Sequence, residues 1–202
     1  MAHYYTNNTD LKSEKRNIVF RFRDHHITFV GDNGVFSKEK IDYGSRVLLD
    51  AMDINENQKS LLDVGCGYGT IGVSLKTVYP WLHVEMVDVN QRAINLTQES
   101  IEINKLSDII AYESYIYDNV HGSFDVIVSN PPIRAGKKVV FDILEKAKDH
   151  LNDNGELIVV IQKKQGAPSA KKKMEETFGN CEVISRDKGY FILKSIKTDT
   201  EF

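Results

Sequence analysis

Apolar positions along this chain change their spacing repeatedly, and each change predicts an element. From Asn17 to Val30 they alternate, at Ile18, Phe20, Phe22, Ile27 and Phe29, with Arg23-Asp24-His25-His26 between the halves. Period two marks a half-buried strand, so this stretch predicts a β-hairpin with both histidines as solvated turn residues at its tip. From Ile41 to Leu49 the spacing is helical, and Asp42 is a candidate N-cap. Leu61, Leu62 and Val64 read as a short strand covered on both faces. Helical spacing returns from Ile71 to Val78 and is stopped by Pro80. His83 to Val87 predicts a second strand. Residues 90–104 predict a helix capped by Asn90. Ile109 to Glu113 and Phe124 to Ser129 predict a third and a fourth strand.

Lys138 to Leu151 then reads as a helix with Asn154-Gly155 as its turn out, and Glu156 to Ile161 as a fifth strand. Lys163 to Lys173 reads as a loop running into a helix. Cys181 to Ser185 and Tyr190 to Ser195 flank the turn Asp187-Lys188-Gly189 and must pair as a hairpin. That makes one strand antiparallel in an otherwise parallel sheet. Strands alternating with helices predict the α/β class, with helices on both faces of the sheet. Residues 1–33 are expected to be an N-terminal extension and hairpin packed on the core, and 34–202 the main α/β domain, a single domain overall.

Composition narrows this little. The chain has 202 residues, 41% hydrophobic and 27% charged, ordinary values for a globular protein with one sizeable core. There is no apolar run of transmembrane length and no signal-peptide core at the N-terminus. The two cysteines, Cys66 and Cys181, have no metal-site spacing and fit a reducing cytoplasm, the expected location. Net charge is −3, so any contact with nucleic acid must come from a local basic patch.

The stretch Asp63-Val64-Gly65-Cys66-Gly67-Tyr68-Gly69-Thr70 changes the picture. Three alternate glycines between a strand and a helix make a turn that a ligand can approach without meeting a Cβ. The spacing is G-x-G-x-G, and Thr70 stands where a nicotinamide-dinucleotide fingerprint has its third glycine, which disfavours a dehydrogenase. Asp63, two before the first glycine, could hold an ammonium group. Asp88, at the end of the next strand, could accept the two hydroxyls of a ribose. Cys66 reads as a small residue that fits the turn.

Asp63-x-Gly65-x-Gly67-x-Gly69 with Asp88 resembles the cofactor site of class I S-adenosylmethionine-dependent methyltransferases. The resemblance implies a Rossmann-like, mostly parallel, seven-stranded sheet with an antiparallel C-terminal hairpin strand. It implies S-adenosyl-L-methionine as cofactor, held by Asp63, Gly65, Cys66, Gly67, Tyr68, Gly69, Asp88, Val89, Asn90 and Asn130. It also places Ser114 and Tyr115, after the third strand, at the adenine. Upstream, Gly34-Val35-Phe36-Ser37 followed by Asp42-x-Gly44-Ser45 is similar to a segment of the "methyltransferase small" domain of ribosomal (16S) RNA guanine-N2 methyltransferases. That similarity makes Val35, Phe36, Gly44 and Ser45 candidate cofactor-pocket residues.

Asn130-Pro131-Pro132-Ile133, after the fourth strand, looks like the catalytic motif of methyltransferases that act on planar amino groups. An exocyclic amine is conjugated, so its lone pair is a poor nucleophile. The Asn130 side-chain oxygen and the Pro131 carbonyl can accept its two hydrogens, aim the nitrogen and stabilise charge developing on it. Two prolines stiffen this shelf, and no metal is needed. Ile133 can touch a planar face but cannot stack as a ring.

Arg134, Lys137, Lys138, Lys163 and Lys164, with Lys171-Lys172-Lys173 beyond, are expected to form a basic rim suited to an RNA backbone. The expected function is N-methyl transfer to guanine N2 of ribosomal RNA, free or in a ribosomal subunit, with an extruded or single-stranded base. The larger guanine-N2 enzymes carry an extra N-terminal domain. Here a homodimer or the N-terminal hairpin would take over its RNA-recognition role, or the substrate differs. The rivals are an N-methyltransferase acting on a protein glutamine or a small amine, and a non-enzymatic cofactor- or RNA-binding subunit.

Overall fold

A computed structural model describes residues 12–33 and 40–198. Val35 and Phe36 lie outside the described residues. Among the described residues nine strands, in two sheets, and five α-helices follow one another. β1 (Arg16–Phe22) and β2 (His25–Gly31) form an antiparallel hairpin. Its turn is shorter than the sequence implied. Only Arg23 and Asp24 turn, both with positive φ (45° and 66°), while His25 pairs with Phe22 and His26 with Arg21. Two residues at positive φ match the right-handed twist of the flanking strands, so the ladder runs to the turn and takes the histidines into β2.

The main sheet has the order β5-β4-β3-β6-β7-β9-β8. β3 (Ser60–Val64), β4 (His83–Asp88), β5 (Ile109–Glu113), β6 (Phe124–Ser129) and β7 (Leu151–Gln162) are parallel. β9 (Tyr190–Ile196) runs antiparallel between β7 and β8 (Glu182–Asp187). The seven-stranded, Rossmann-like sheet expected from the sequence is therefore the observed one. From β3 the chain steps outward to β4 and β5, then returns to β6 on the other side. The strand order thus reverses between β3 and β6, where open α/β sheets bind ligands.

The strands are apolar on both sides because both faces are covered. α1 (Tyr43–Ala51), α2 (Thr70–Val78), α3 (Gln91–Ile103) and the hairpin share one buried cluster, with Leu48, Leu49, Leu61, Val84 and Met86 at its centre. α4 (Lys137–Lys146) and α5 (Ala167–Phe178) cover the other face through Ile143, Leu144, Ile127, Leu157 and Met174. Each fully buried Leu or Ile contributes about 1.5–3 kcal/mol of apolar burial. The hairpin docks on α3 by polar contacts as well. Asn104 Nδ2 donates to the Thr28 carbonyl (2.7 Å), and Val30 N donates to Ser100 Oγ (3.1 Å).

α4 ends earlier than the apolar spacing implied. A 3₁₀ turn over Ala147–His150 follows it, and Leu151 already belongs to β7, opposite Phe124. Asn154, at φ 64°, bulges the strand without ending it, and pairing resumes at Val126 and Glu156. The expected turn at Asn154-Gly155 is this bulge, which re-aims a strand and leaves its ladder continuous on either side.

At the N-terminal ends of β4 and β5, His83 bonds Asp108 through Nδ1 (2.7 Å) and Glu85 through Nε2 (2.8 Å). Burial opposes the imidazolium, but the two carboxylates outweigh it and hold the pKa above the ordinary histidine value. A group whose pKa is raised on folding adds stability below its unfolded pKa and loses it as pH rises through the folded one. His83→Gln is therefore expected to cost about 0.5–1 kcal/mol more at pH 6 than at pH 9, a solvent-screened figure. Urea unfolding at the two pH values checks this, and an equal cost at both would refute the clamp.

Candidate active site

The site is built on the C-terminal ends of β3, β4, β5 and β6. Leaving β3, the chain turns through Gly65, Gly67 and Gly69, all at positive φ (74°, 58° and 97°). A Cβ on Gly69 would stand 3.0 Å from Thr97 Cγ2, so a side chain there would be crowded as well as strained in conformation. The turn is held from below. Gly65 N and Cys66 N both donate to the Val87 carbonyl (2.9 Å each), and Thr97 Oγ1 donates to the Gly67 carbonyl (2.7 Å).

Asp88 ends β4 and is buried. Its Oδ2 accepts from Gly67 N and its Oδ1 from Asn90 N, both at 2.9 Å. A carboxylate has about four acceptor positions, and ribose hydroxyls are donors of the kind it accepts. Asn90 is also buried and caps α3, with Oδ1 accepting from Ala93 N at 3.2 Å. Val64, Gly65, Val87, Asp88, Val89, Ser114 and Ile116 line one narrow cleft at this edge.

Ser114 is buried in that cleft, its Oγ donating to the Ile116 carbonyl (2.9 Å) and accepting from Asn119 N (3.0 Å). Tyr115 is 44% exposed and is not part of the lining. Ile116, at φ 53°, turns back into the cleft instead. Sequence reasoning missed Ile116 and Thr97. Thr97 carried a signal, a polar residue in the apolar phase of α3 beside Ala93 and Ile94. Ile116 carried none, because a left-handed isoleucine has no sequence mark.

Asp63 is fully buried on the face covered by α2. Its Oδ2 accepts from Gly72 N at 3.0 Å, while Oδ1 has no hydrogen-bond partner among the described residues. Burial pushes its pKa up to about 7. Burial, with the carboxylates of Asp88 and Asp63, pushes the Cys66 thiol well above its ordinary value, so it stays protonated at neutral pH. Tyr68 is buried, its ring edge-on to Phe29 at 6.0 Å and its hydroxyl donating to the Lys40 carbonyl at 3.2 Å. An orphaned carboxylate oxygen and a wall without Cβ atoms fit a cofactor that carries both an amine and a ribose.

Asn130 follows β6 directly. The cleft wall and this motif are adjacent, since a Cβ on Gly65 would lie 4.0 Å from Pro132 Cδ. Asn130 Nδ2 donates to Asp42 Oδ2 (2.8 Å) and to Ser45 Oγ (3.1 Å). Asp42 Oδ2 also accepts from Ser45 N (3.1 Å), capping α1 as expected. Gly44 is buried, and a Cβ there would meet Tyr190 Cε1 at 2.9 Å, which locks the first turn of α1 against β9. Pro131 is buried, and its carbonyl has no backbone hydrogen bond among the described residues. Ile133 is half-buried in a 3₁₀ turn over Ile133–Ala135.

Arg134 is exposed at the end of the motif, and Lys163 and Lys164 are exposed at the end of β7. None of the three has a carboxylate partner among the described residues. Lys137 lies over the Phe141 ring at 5.0 Å. Lys138 pairs with Asp142 (3.0 Å), Lys173 with Glu145 (3.0 Å), and Lys171 with Glu175. Only part of the expected rim therefore carries unbalanced charge. Among the described residues no group of three His, Cys, Asp or Glu side chains is placed to hold a metal ion. No helix among them is long and apolar enough to cross a membrane. A larger hollow of about 580 Å³ lies between Ser13, Lys15, Asp32 and α3, but it holds none of these residues.

The model of the methyltransferase small domain matches residues 26–194. The chain belongs to the methyltransferase small-domain family. It is 47% identical over 197 residues to the "Uncharacterized protein YbxB" of Bacillus subtilis, covering 96% of this chain and 98% of that one. It is 33% identical over 180 residues to the "Ribosomal RNA small subunit methyltransferase C" of Aliivibrio fischeri, covering 87% of this chain and 51% of that protein. The chain thus spans about half the length of its methyltransferase C relatives. A structure of the 16S rRNA N2 methyltransferase RsmC of T. thermophilus, in complex with AdoMet and guanosine, superposes with a TM-score of 0.82 and 26% identity. That match covers 93% of this chain and 52% of that one. A methyltransferase from Pyrococcus furiosus shares the fold, with a TM-score of 0.67 and 22% identity. In a methyltransferase small domain of this kind the cofactor is S-adenosylmethionine, as expected from the glycine turn and Asp88.

Asp63 gives the site a testable cost. Its folded carboxyl keeps its proton up to about pH 7, whereas an unfolded one releases it near pH ~3.9. Stability therefore falls as pH rises between those values. Asp63→Asn is expected to stabilise the protein by roughly 1–3 kcal/mol above pH 7, with the gain vanishing below pH ~4. It should also weaken S-adenosylmethionine binding about tenfold or more. Thermal unfolding across that range and a calorimetric titration check both, and a gain independent of pH would contradict the burial account.

Proposed function

We propose that this chain is an S-adenosylmethionine-dependent N-methyltransferase acting on an exocyclic amine, and that the amine is guanine N2 of ribosomal RNA. The observation that carries the reading is the abutment of Asn130-Pro131-Pro132 on the glycine turn, with the Asn130 amide held by its nitrogen and its oxygen without a partner among the described residues. S-adenosylmethionine supplies an electrophilic methyl group on a sulfonium. Gly65, Gly67 and Gly69 leave room for it, Asp88 accepts from its ribose, and Asp63 offsets its ammonium charge. Asn130 Oδ1 and the Pro131 carbonyl accept the two hydrogens of the substrate amine. They orient its nitrogen and stabilise the positive charge that grows on it, a contribution fixed in advance by the backbone and by α1. Ile133 gives the base an apolar contact on one face.

Support for RNA comes from the site's edge and from the relatives. Arg134, Lys163 and Lys164 are three cations without carboxylate partners among the described residues, at the ends of β6 and β7, on a chain of net charge −3. Phosphates can take up such charges. The methyltransferase C relatives and the RsmC structure carry ribosomal RNA in their names. A ribosomal substrate puts the work in the cytoplasm. We extend the reading to the remaining assignments, Val35 and Phe36 over the cofactor and Tyr115 near the adenine, which point mutation and cofactor titration test.

Methyl transfer from labelled S-adenosylmethionine to small- and large-subunit RNA, naked and as particles, is the direct test, with nucleoside analysis of the product. Label is expected in N2-methylguanosine and is expected to fall by about 10²–10³-fold in Asn130→Ala, the loss typical of a removed positioning and charge-stabilising group. Cofactor binding with label only in release-factor glutamine or in small amines would replace the RNA assignment. Label in RNA that Asn130→Ala leaves unchanged would defeat the site assignment.

A further inference from the structure

Asp42 is an N-cap by sequence, and capping would account for a single hydrogen bond, the one from Ser45 N. The structure gives the same oxygen a second donor. Asn130 Nδ2, 88 positions away in the chain, reaches Asp42 Oδ2 at 2.8 Å, and its other hydrogen faces Ser45 Oγ at 3.1 Å. A primary amide has two donor hydrogens and one acceptor oxygen. Both hydrogens are engaged on α1, so the oxygen is left as the free end. Turning the amide over would set its oxygen against a carboxylate oxygen, which repels it. The carboxylate therefore selects one of the two orientations of the Asn130 side chain, and the selected one presents an acceptor to the cleft.

We propose that Asp42 is a positioning residue for Asn130, holding its amide so that Oδ1 receives the substrate amine. The proposal rests on the reading of Asn130 given above. Two consequences follow from the geometry. A negative charge on the NH₂ side polarises the amide toward its oxygen, which makes Oδ1 a stronger acceptor as positive charge grows on the amine. The side chain that orients the motif also starts α1, and Lys40, two residues earlier, accepts from Tyr68 of the glycine turn at 3.2 Å. One short stretch thus touches both halves of the site, the cofactor turn after β3 and the acceptor motif after β6.

Capping and positioning separate by choice of substitution. Serine caps a helix nearly as well as aspartate, but its shorter side chain cannot reach Asn130. Asparagine caps the helix and keeps an oxygen that can accept from both donors. Asp42→Ser is expected to lower kcat on ribosomal RNA by about a hundredfold, with cofactor Kd within about threefold and Tm within a few degrees. Asp42→Asn is expected to recover most of that rate. Because Asp42 acts through Asn130, Asp42→Ser added to Asn130→Ala is expected to cost nothing further in single turnover.

A reading independent of substrate comes from the Asn130 side-chain amide in ¹⁵N NMR, assigned by its loss in Asn130→Ala. Its two hydrogens are expected to exchange slowly with solvent in the wild type and in Asp42→Asn, and quickly in Asp42→Ser. Full kcat in Asp42→Ser, an additive loss in the double variant, an Asp42→Asn as slow as Asp42→Ser, or an amide indifferent to Asp42→Ser would each overturn the proposal. Loss of transfer in Asn130→Ala with full activity in Asp42→Ser would remove Asp42 alone. Full transfer in Asn130→Ala would remove the reading on which it rests.

Discussion

The pairing of β3 with β6 is the constraint on which the site depends. Leu61 stands opposite Val126 and Asp63 opposite Val128, so the two strands end level. Ser129 Oγ donates to the Val64 carbonyl at 2.7 Å, which ties the last residues together. Everything past those ends is adjacent by necessity: the glycine turn on one side and Asn130-Pro131-Pro132 on the other. Strand order reverses here, so no crossover helix covers the gap, and the crevice is a result of topology before any side chain is considered.

The polar groups of the site largely hold one another. Asp88 takes two backbone amides, Thr97 a carbonyl, Asn90 the start of α3 and Asp42 the start of α1. Buried polar groups stabilise only when paired, and here pairing also orients. Within the site Asp63 Oδ1 is the exception, buried and without a partner among the described residues. That arrangement costs stability in the free protein and is the kind of cost functional sites retain.

Charge is distributed on the same principle. On the outer helices lysines meet carboxylates, as Lys138 does Asp142 and Lys173 does Glu145. At the C-terminal ends of β6 and β7, Arg134, Lys163 and Lys164 have no such partner among the described residues. Exposed pairs of the first kind contribute little to stability, and their main effect is to neutralise those lysines. What remains is a small positive edge beside the crevice on a protein of net negative charge. Total charge alone hides such an edge.

The sequence by itself determined the class of fold, the position of nearly every strand and helix, the glycine turn, Asp88 and the Asn-Pro-Pro shelf. These are local signals, carried by period, by glycine and proline, and by residues a fixed distance from a strand end. It made the hairpin turn two residues too long and ended α4 too late, because strand pairing, not local propensity, decides where β2 and β7 begin. It placed Tyr115 at the adenine and did not single out Ile116, which lines the cleft from a left-handed backbone. It saw Asp42 only as a cap. The contact of Asp42 with Asn130 spans 88 positions and three crossovers, and no period or motif encodes a distance of that kind. Only the tertiary structure decided it, because only packing α1 against β7 and β9, with β6 alongside β7, brings a carboxylate to the NH₂ side of that amide.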